Sequence, residues 1–71
     1  MGLHEVFTPL EWEFYEGYRD GRDPDAPSPS GNRHPAYLHS FEVGRAELAG
    51  TPIPAAISRA RAAEIERKAL H

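Results

Sequence analysis

A proline-rich segment in the first half of the chain sets the strongest limit on what it can fold into. Pro24, Pro27 and Pro29 fall within six positions of RDPDAPSPSGNR. Proline has a fixed φ and no backbone N–H, so this segment is excluded from helices and disfavoured in a central strand. We therefore predict a loop over residues 21–34. Loops of this length in small domains are usually functional or mobile.

The segment before the loop carries the signals of a helix over about residues 9–20. In FTPLEW, Thr8 is placed as the N-cap, a proline follows it, and Glu11 lies three residues after the cap, which is the pattern of a capping box. Phe14 and Tyr18 continue an apolar face at helical spacing. The loop follows directly.

Both ends of this first helix have further signals. Phe7 and Trp12 flank the cap at the spacing of a hydrophobic staple. Gly21, which follows the acidic end of the helix, is a candidate C-terminal cap.

Two more helices are predicted after the loop, which makes the fold class all-α. The second covers about residues 35–49 and ends before a proline-rich corner at 50–54. The third covers about 54–69, where alanines give high helix propensity but apolar residues scatter around the helix instead of forming a stripe. The whole chain, 1–71, is expected to form a single small helical domain.

Glycine inside a helix costs about 1 kcal/mol relative to alanine, yet the first two helices each contain one. Gly17 in FYEGYR and Gly44 in FEVGRA both follow an aromatic residue by three positions. A missing Cβ lets helix backbones approach closely, so we predict an antiparallel hairpin in which the two glycines face the opposite helix. Phe14, Tyr18 and Phe41 would fill the sides. The alternative is that the glycines are simply tolerated at the surface.

The stretch GYRDGRDPDAPSPSGNRHPAYLHSFEVGRAE resembles the ribosome modulation factor family. Members carry G-Y-x-x-G at the end of one helix, a polar loop with proline, and a second helix with an aromatic residue and a glycine. The resemblance covers about residues 14–47, with Phe41 where the family usually has tryptophan. It implies a small, helical, non-enzymatic protein, and the best-known members bind the ribosome and block its activity. The matching positions are Gly17, Tyr18, Gly21, Phe41 and Gly44.

The charge distribution departs from that family and argues against direct nucleic-acid binding. The net charge is −3, with seven acidic and two basic residues over 1–30 and four basic against two acidic residues over 59–71. A binder of ribosomal RNA needs dense lysine and arginine for phosphate contacts. An acidic front suits docking on a basic protein surface, or a homodimer through the C-terminal helix. The alternative is an ordinary solvated surface.

No catalytic or cofactor motif is present, so we expect no enzyme, no metal and no cofactor. The chain has no cysteine, no G-x-S-x-G, no phosphate loop and no H-E-x-x-H. Asp23 and Asp25 alternate as in a calcium loop, but Pro27 occupies the next ligand position and the closing glutamate is missing. His34 and His39 do not share a helix face. No apolar run reaches the ~18 residues that span a bilayer, and no signal-peptide pattern appears, so a cytoplasmic location is expected.

Aromatic residues exceed what a small hairpin can bury. All seven lie between positions 7 and 41, and Trp, Tyr and Arg dominate interface hot spots. We therefore expect a protein-binding regulator that docks on and inhibits or modulates a larger protein or ribonucleoprotein complex, as phage and mobile-element inhibitors of host systems do. The alternative is a ribosome-associated factor of the hibernation type. The predicted partner-binding residues are Trp12, Tyr15, Arg19, Asp20, Arg22, Asp23, Asp25 and Tyr37; for Trp12 and Tyr15 the alternative is packing within the chain.

Overall fold

The computed structural model describes residues 7–69, which form three α-helices. The helices are α1, Pro9–Arg22; α2, Pro35–Leu48; and α3, Ala55–Ala69. No strand occurs within residues 7–69. The predicted all-α fold is confirmed, and the helix ends move by only one or two residues from the predicted ones.

The capping box predicted for α1 is present. The Thr8 hydroxyl accepts a hydrogen bond from the Glu11 N–H at 3.2 Å, and the Glu11 carboxylate accepts one from the Thr8 N–H at 3.0 Å. These bonds hold the pKa of Glu11 below its ordinary value. Gly21, by contrast, is not the cap: it lies buried inside α1, and the Asp23 N–H closes the helix on the Asp20 carbonyl.

Helices α1 and α2 approach so closely that three glycines have no room for a Cβ. A Cβ on Gly17 would overlap the Tyr37 carbonyl, and one on Gly21 would overlap the Phe41 carbonyl. Conversely, a Cβ on Gly44 would come 2.6 Å from a carbonyl oxygen of α1. Each colliding atom is helix backbone, which cannot move aside cheaply. The prediction that Gly17 and Gly44 allow the two helices to approach closely is confirmed, and Gly21 has the same role.

Small residues at four-residue spacing make this contact possible. In α1 they are Gly17 and Gly21; in α2 they are Ala36, Ser40 and Gly44, which are all buried. Residues four apart share one helix face. Small side chains on that face let the two backbones come together.

The direction of the pair differs from the antiparallel hairpin we expected. Gly17 meets Tyr37, and Gly21 meets Phe41, so a later residue of α1 meets a later residue of α2. An antiparallel pair would show the opposite order. The long connection, residues 23–34, permits this arrangement because an extended chain covers about 3.3 Å per residue, more than twice the rise of a helix, ~1.5 Å.

The connecting loop runs back beside α2 and is held at both ends by arginines. Near its start, Arg45 donates to the carbonyl oxygens of Asp23 at 3.2 Å and Ala26 at 2.9 Å. Near its end, the Arg33 guanidinium lies 3.9 Å from the Glu16 carboxylate. The loop therefore returns from the end of α1 to the level of its middle before α2 begins.

Helix α3 is attached to this pair mainly through α2. Gly50 makes the corner after α2 with a φ of +82°, a value that favours glycine. Arg61 of α3 reaches Glu42 of α2 at 3.6 Å. No residue of α3 from 55 to 69 is buried, so the helix lies on the surface.

Candidate protein-binding surface

Three aromatic side chains cluster around the start of α1. The ring centroids of Phe7, Trp12 and Tyr15 lie 5.4 to 6.0 Å from one another; we call these residues the aromatic patch. The predicted staple between Phe7 and Trp12 is therefore seen, and Tyr15 completes the cluster. Tyr15 is 40% exposed, while the other two are half-buried. An apolar, partly exposed surface of this kind can bury further area against a partner.

A cleft of about 410 Å³ opens beside the aromatic patch. It is lined by Phe7, Pro9, Trp12 and Glu13. Among the ion pairs formed by residues 7–69, none involves Glu13. The cleft therefore combines the Glu13 carboxylate with the rings of Phe7 and Trp12 in one lining.

Tyr37, predicted as an exposed anchor, is instead buried. Only 4% of it is exposed, because the glycine at position 17 lets α1 close over this part of α2. Its hydroxyl donates to the Asp20 carboxylate at 2.5 Å, and the Arg33 guanidinium lies 3.5 Å above its ring. Burial, followed by the bond to Asp20, raises the pKa of the Tyr37 hydroxyl. Tyr37 is therefore a residue of the α1–α2 contact and is not available to a partner.

Asp20, also predicted to meet a partner, is likewise used within the chain. Besides the bond from Tyr37, it accepts one from Arg19 Nε at 3.2 Å. Burial alone would raise the pKa of Asp20, but these two bonds outweigh it and hold the pKa below its ordinary value. The Arg19 side chain remains 55% exposed, so it can still meet a partner while paired.

Arg22 and Tyr18 converge on Glu47 of α2, a residue that the sequence analysis missed. Arg22 Nη1 lies 3.0 Å from the Glu47 carboxylate, and the Tyr18 hydroxyl donates to the same oxygen at 2.6 Å. The bond to Glu47 raises the pKa of Tyr18. Tyr18 was predicted to pack between the helices; it is 39% exposed and joins them through its hydroxyl. The spacing of Glu47 from Gly44, one helical turn, was the available signal.

Asp23 and Asp25 are exposed at the start of the loop. The Asp23 carboxylate accepts a hydrogen bond from the Asp25 N–H at 2.9 Å. Aspartate commonly holds turns in this way, so Asp23 has a structural role. Both carboxylates remain at the surface.

Two further residues were predicted to pack between the helices, Phe14 of α1 and Phe41 of α2. Phe14 meets the His39 ring edge-on, with centroids 6.5 Å apart. Phe41 is buried and carries the Arg45 guanidinium 4.8 Å from its ring centroid. The sequence analysis did not single out Arg33 or Arg45, because their targets come from distant parts of the chain.

The arginines of the first two helices and the loop each contact another group of their own chain. They bind a carboxylate, a carbonyl or an aromatic ring, and they are Arg19, Arg22, Arg33 and Arg45. In contrast, Glu13, which lines the cleft beside the aromatic patch, has no basic partner among residues 7–69. The surface around the aromatic patch therefore offers apolar rings and negative charge, which suits apolar or cationic groups and not phosphates.

Other kinds of site are not found in the described part of the chain. Residues 7–69 contain no group of three or more His, Cys, Asp or Glu side chains that could hold a metal ion. None of the described helices combines the length and the apolar character of a membrane-spanning segment. No protein-family model, curated protein or solved structure matches this chain.

Proposed function

We propose that this protein is a small non-enzymatic regulator that docks through the aromatic patch onto a larger protein or ribonucleoprotein complex. The observation that carries the proposal is the clustering of Phe7, Trp12 and Tyr15, with Tyr15 40% exposed. The other aromatic rings lie in or across the α1–α2 contact. Aromatic side chains of this type supply most of the binding energy in protein interfaces.

The charge around the patch favours a protein surface over nucleic acid. Glu13 lines the neighbouring cleft, and the arginines of α1 and α2 contact groups of their own chain. An acidic regulator acts by covering a basic surface that its target needs, as small inhibitors of host nucleic-acid-binding systems do. Binding that depends on such charges weakens as salt rises.

Affinity capture from the native host lysate tests this proposal. We expect the wild-type chain to retain a specific complex and the Tyr15→Ala variant to lose it. Leu48→Ala is the matched control, since Leu48 of α2 is an apolar residue with the same exposed fraction as Tyr15, 40%. If wild type and Tyr15→Ala captured the same proteins in the same amounts, docking through the aromatic patch would be contradicted.

Ribosome association is the second candidate, and it is supported by the family resemblance over residues 14–47. The matching residues Gly17, Gly21 and Gly44 are the ones that hold α1 against α2, so the resemblance can reflect the helix contact alone. Co-sedimentation with ribosomes separates the two functions. If ribosomal proteins were the main proteins captured from the lysate, and high salt released them, this second function would be favoured.

A further inference from the structure

The chemistry of the partner follows from how this chain treats its own arginines. We infer that the aromatic patch binds an arginine side chain of a basic protein segment, with Glu13 supplying the counter-charge. The inference rests on the proposed docking function and adds the chemical class of the partner.

The first support is a contact inside the molecule. The Arg33 guanidinium lies 3.5 Å above the Tyr37 ring, and one of its nitrogens lies 3.9 Å from the Glu16 carboxylate. A ring face together with a nearby carboxylate attracts the guanidinium through its quadrupole and through charge. The protein therefore shows, within its own fold, the geometry that such a site requires.

The aromatic patch repeats this combination at the surface. Trp12 and Glu13 line the same cleft of about 410 Å³, and the exposed Tyr15 ring lies 5.4 Å from Trp12 between centroids. Tryptophan is the aromatic residue that attracts cations most strongly. The cleft is large enough for a guanidinium group.

Charge complementarity selects a basic occupant. Residues 7–16, which include the aromatic patch, contain three acidic side chains and no lysine or arginine, and the arginines later in α1, Arg19 and Arg22, are paired with carboxylates. Such a surface attracts cationic segments during diffusion and repels phosphates. Arginine fits better than lysine because its planar guanidinium stacks on rings and bridges carboxylate oxygens.

A peptide titration tests the inference without knowledge of the natural partner. The chain has a single tryptophan, so its fluorescence reports directly on Trp12. We expect a hexa-arginine peptide to change this fluorescence at low salt, hexa-lysine to bind more weakly, and hexa-glutamate to have no effect. Glu13→Gln should weaken hexa-arginine binding by about two- to fivefold, the upper part of the range for an exposed ion pair.

The matched control is Glu66→Gln, which removes the same charge from an exposed position of α3 and should leave the affinity unchanged. Equal weakening by both variants would overturn the inference, since it would mean that net charge alone attracts the peptide. Absence of hexa-arginine binding would also overturn it. If hexa-arginine does not bind but capture from the lysate still depends on Tyr15, the proposed docking function is retained and the partner surface is apolar. Peptide binding without Tyr15-dependent capture would instead contradict the proposed function alone.

Discussion

At the scale of single residues, the α1–α2 contact depends on three glycines, which have no Cβ. Gly17, Gly21 and Gly44 each place backbone where a Cβ would collide with the other helix. Apolar burial is small, with Ala36 and Phe41 among the few buried apolar residues within 7–69. In so small a core, a single methyl group at the wrong place has a large effect.

Gly17→Ala is therefore expected to destabilise the fold, although alanine is the better helix former by about 1 kcal/mol. The added methyl would overlap the Tyr37 carbonyl, and overpacking of this kind costs about 1–3 kcal/mol. Urea unfolding followed by circular dichroism measures the change. Gly31→Ala is the control because nothing lies within 4 Å of its added Cβ. An unfolding midpoint for Gly17→Ala equal to or above that of wild type would contradict the close packing.

The bond between Tyr37 and Asp20 predicts a pH dependence of stability. Because the pKa of Asp20 is lowered in the folded state, its contribution is present above the unfolded pKa of about 3.9 and is lost as the pH falls through the folded value. Tyr37→Phe removes the donor to a charged carboxylate and should cost about 1.5 kcal/mol at neutral pH. It should also flatten the loss of stability in acid.

Unfolding of both proteins between neutral pH and the acid limit of the fold checks this expectation. Tyr15→Phe is the comparison, since it removes a hydroxyl from a 40% exposed tyrosine and leaves the bond between Tyr37 and Asp20 in place. If Tyr37→Phe and wild type lost the same stability on acidification, Asp20 would not be the responsible carboxylate.

At the scale of helices and loops, the sequence predicts what is locally encoded. The start of α1 follows from Thr8 and Glu11, whose hydrogen bonds span a single turn. The direction of the helix pair was not predictable in this way, because it depends on which positions of α2 meet Gly17 and Gly21. The burial of Tyr37 is a consequence of that direction, so it was missed for the same reason.

Arg45 provides a test of how the loop is held. Arg45→Met keeps most of the side-chain stem but removes the donors to the Asp23 and Ala26 carbonyls. We expect faster amide hydrogen exchange in the loop, 23–34, with little change in α1, since the other hydrogen bonds at the start of the loop join only neighbouring residues of positions 20–26. Arg59→Met on α3 is the control. Unchanged exchange in the loop would show that its prolines alone keep it in place.

At the scale of the whole molecule, acidic and basic side chains are concentrated on different helices. The aromatic patch and the carboxylates near it lie at the first helix, while α3 carries Arg59, Arg61, Arg67 and Lys68. The apolar surface of α3 is also uncovered, with Ile57 47% exposed. Docking through the first helix would leave α3 accessible for a second contact.

A homodimer through α3 remains a prediction at this scale, and it follows from the energetics of the helix. Isolated helices of about 15 residues are marginal in water, and none of the residues from 55 to 69 is buried in the single chain. Pairing with a second copy would cover Ile57 and stabilise the helix. We expect the sedimentation mass to rise from one copy toward two with increasing concentration, and Ile57→Asp to keep it at one. Leu48→Asp is the control, because Leu48 is an exposed apolar residue of α2. A monomer mass that is independent of concentration would mean that α3 is covered by another partner or remains exposed.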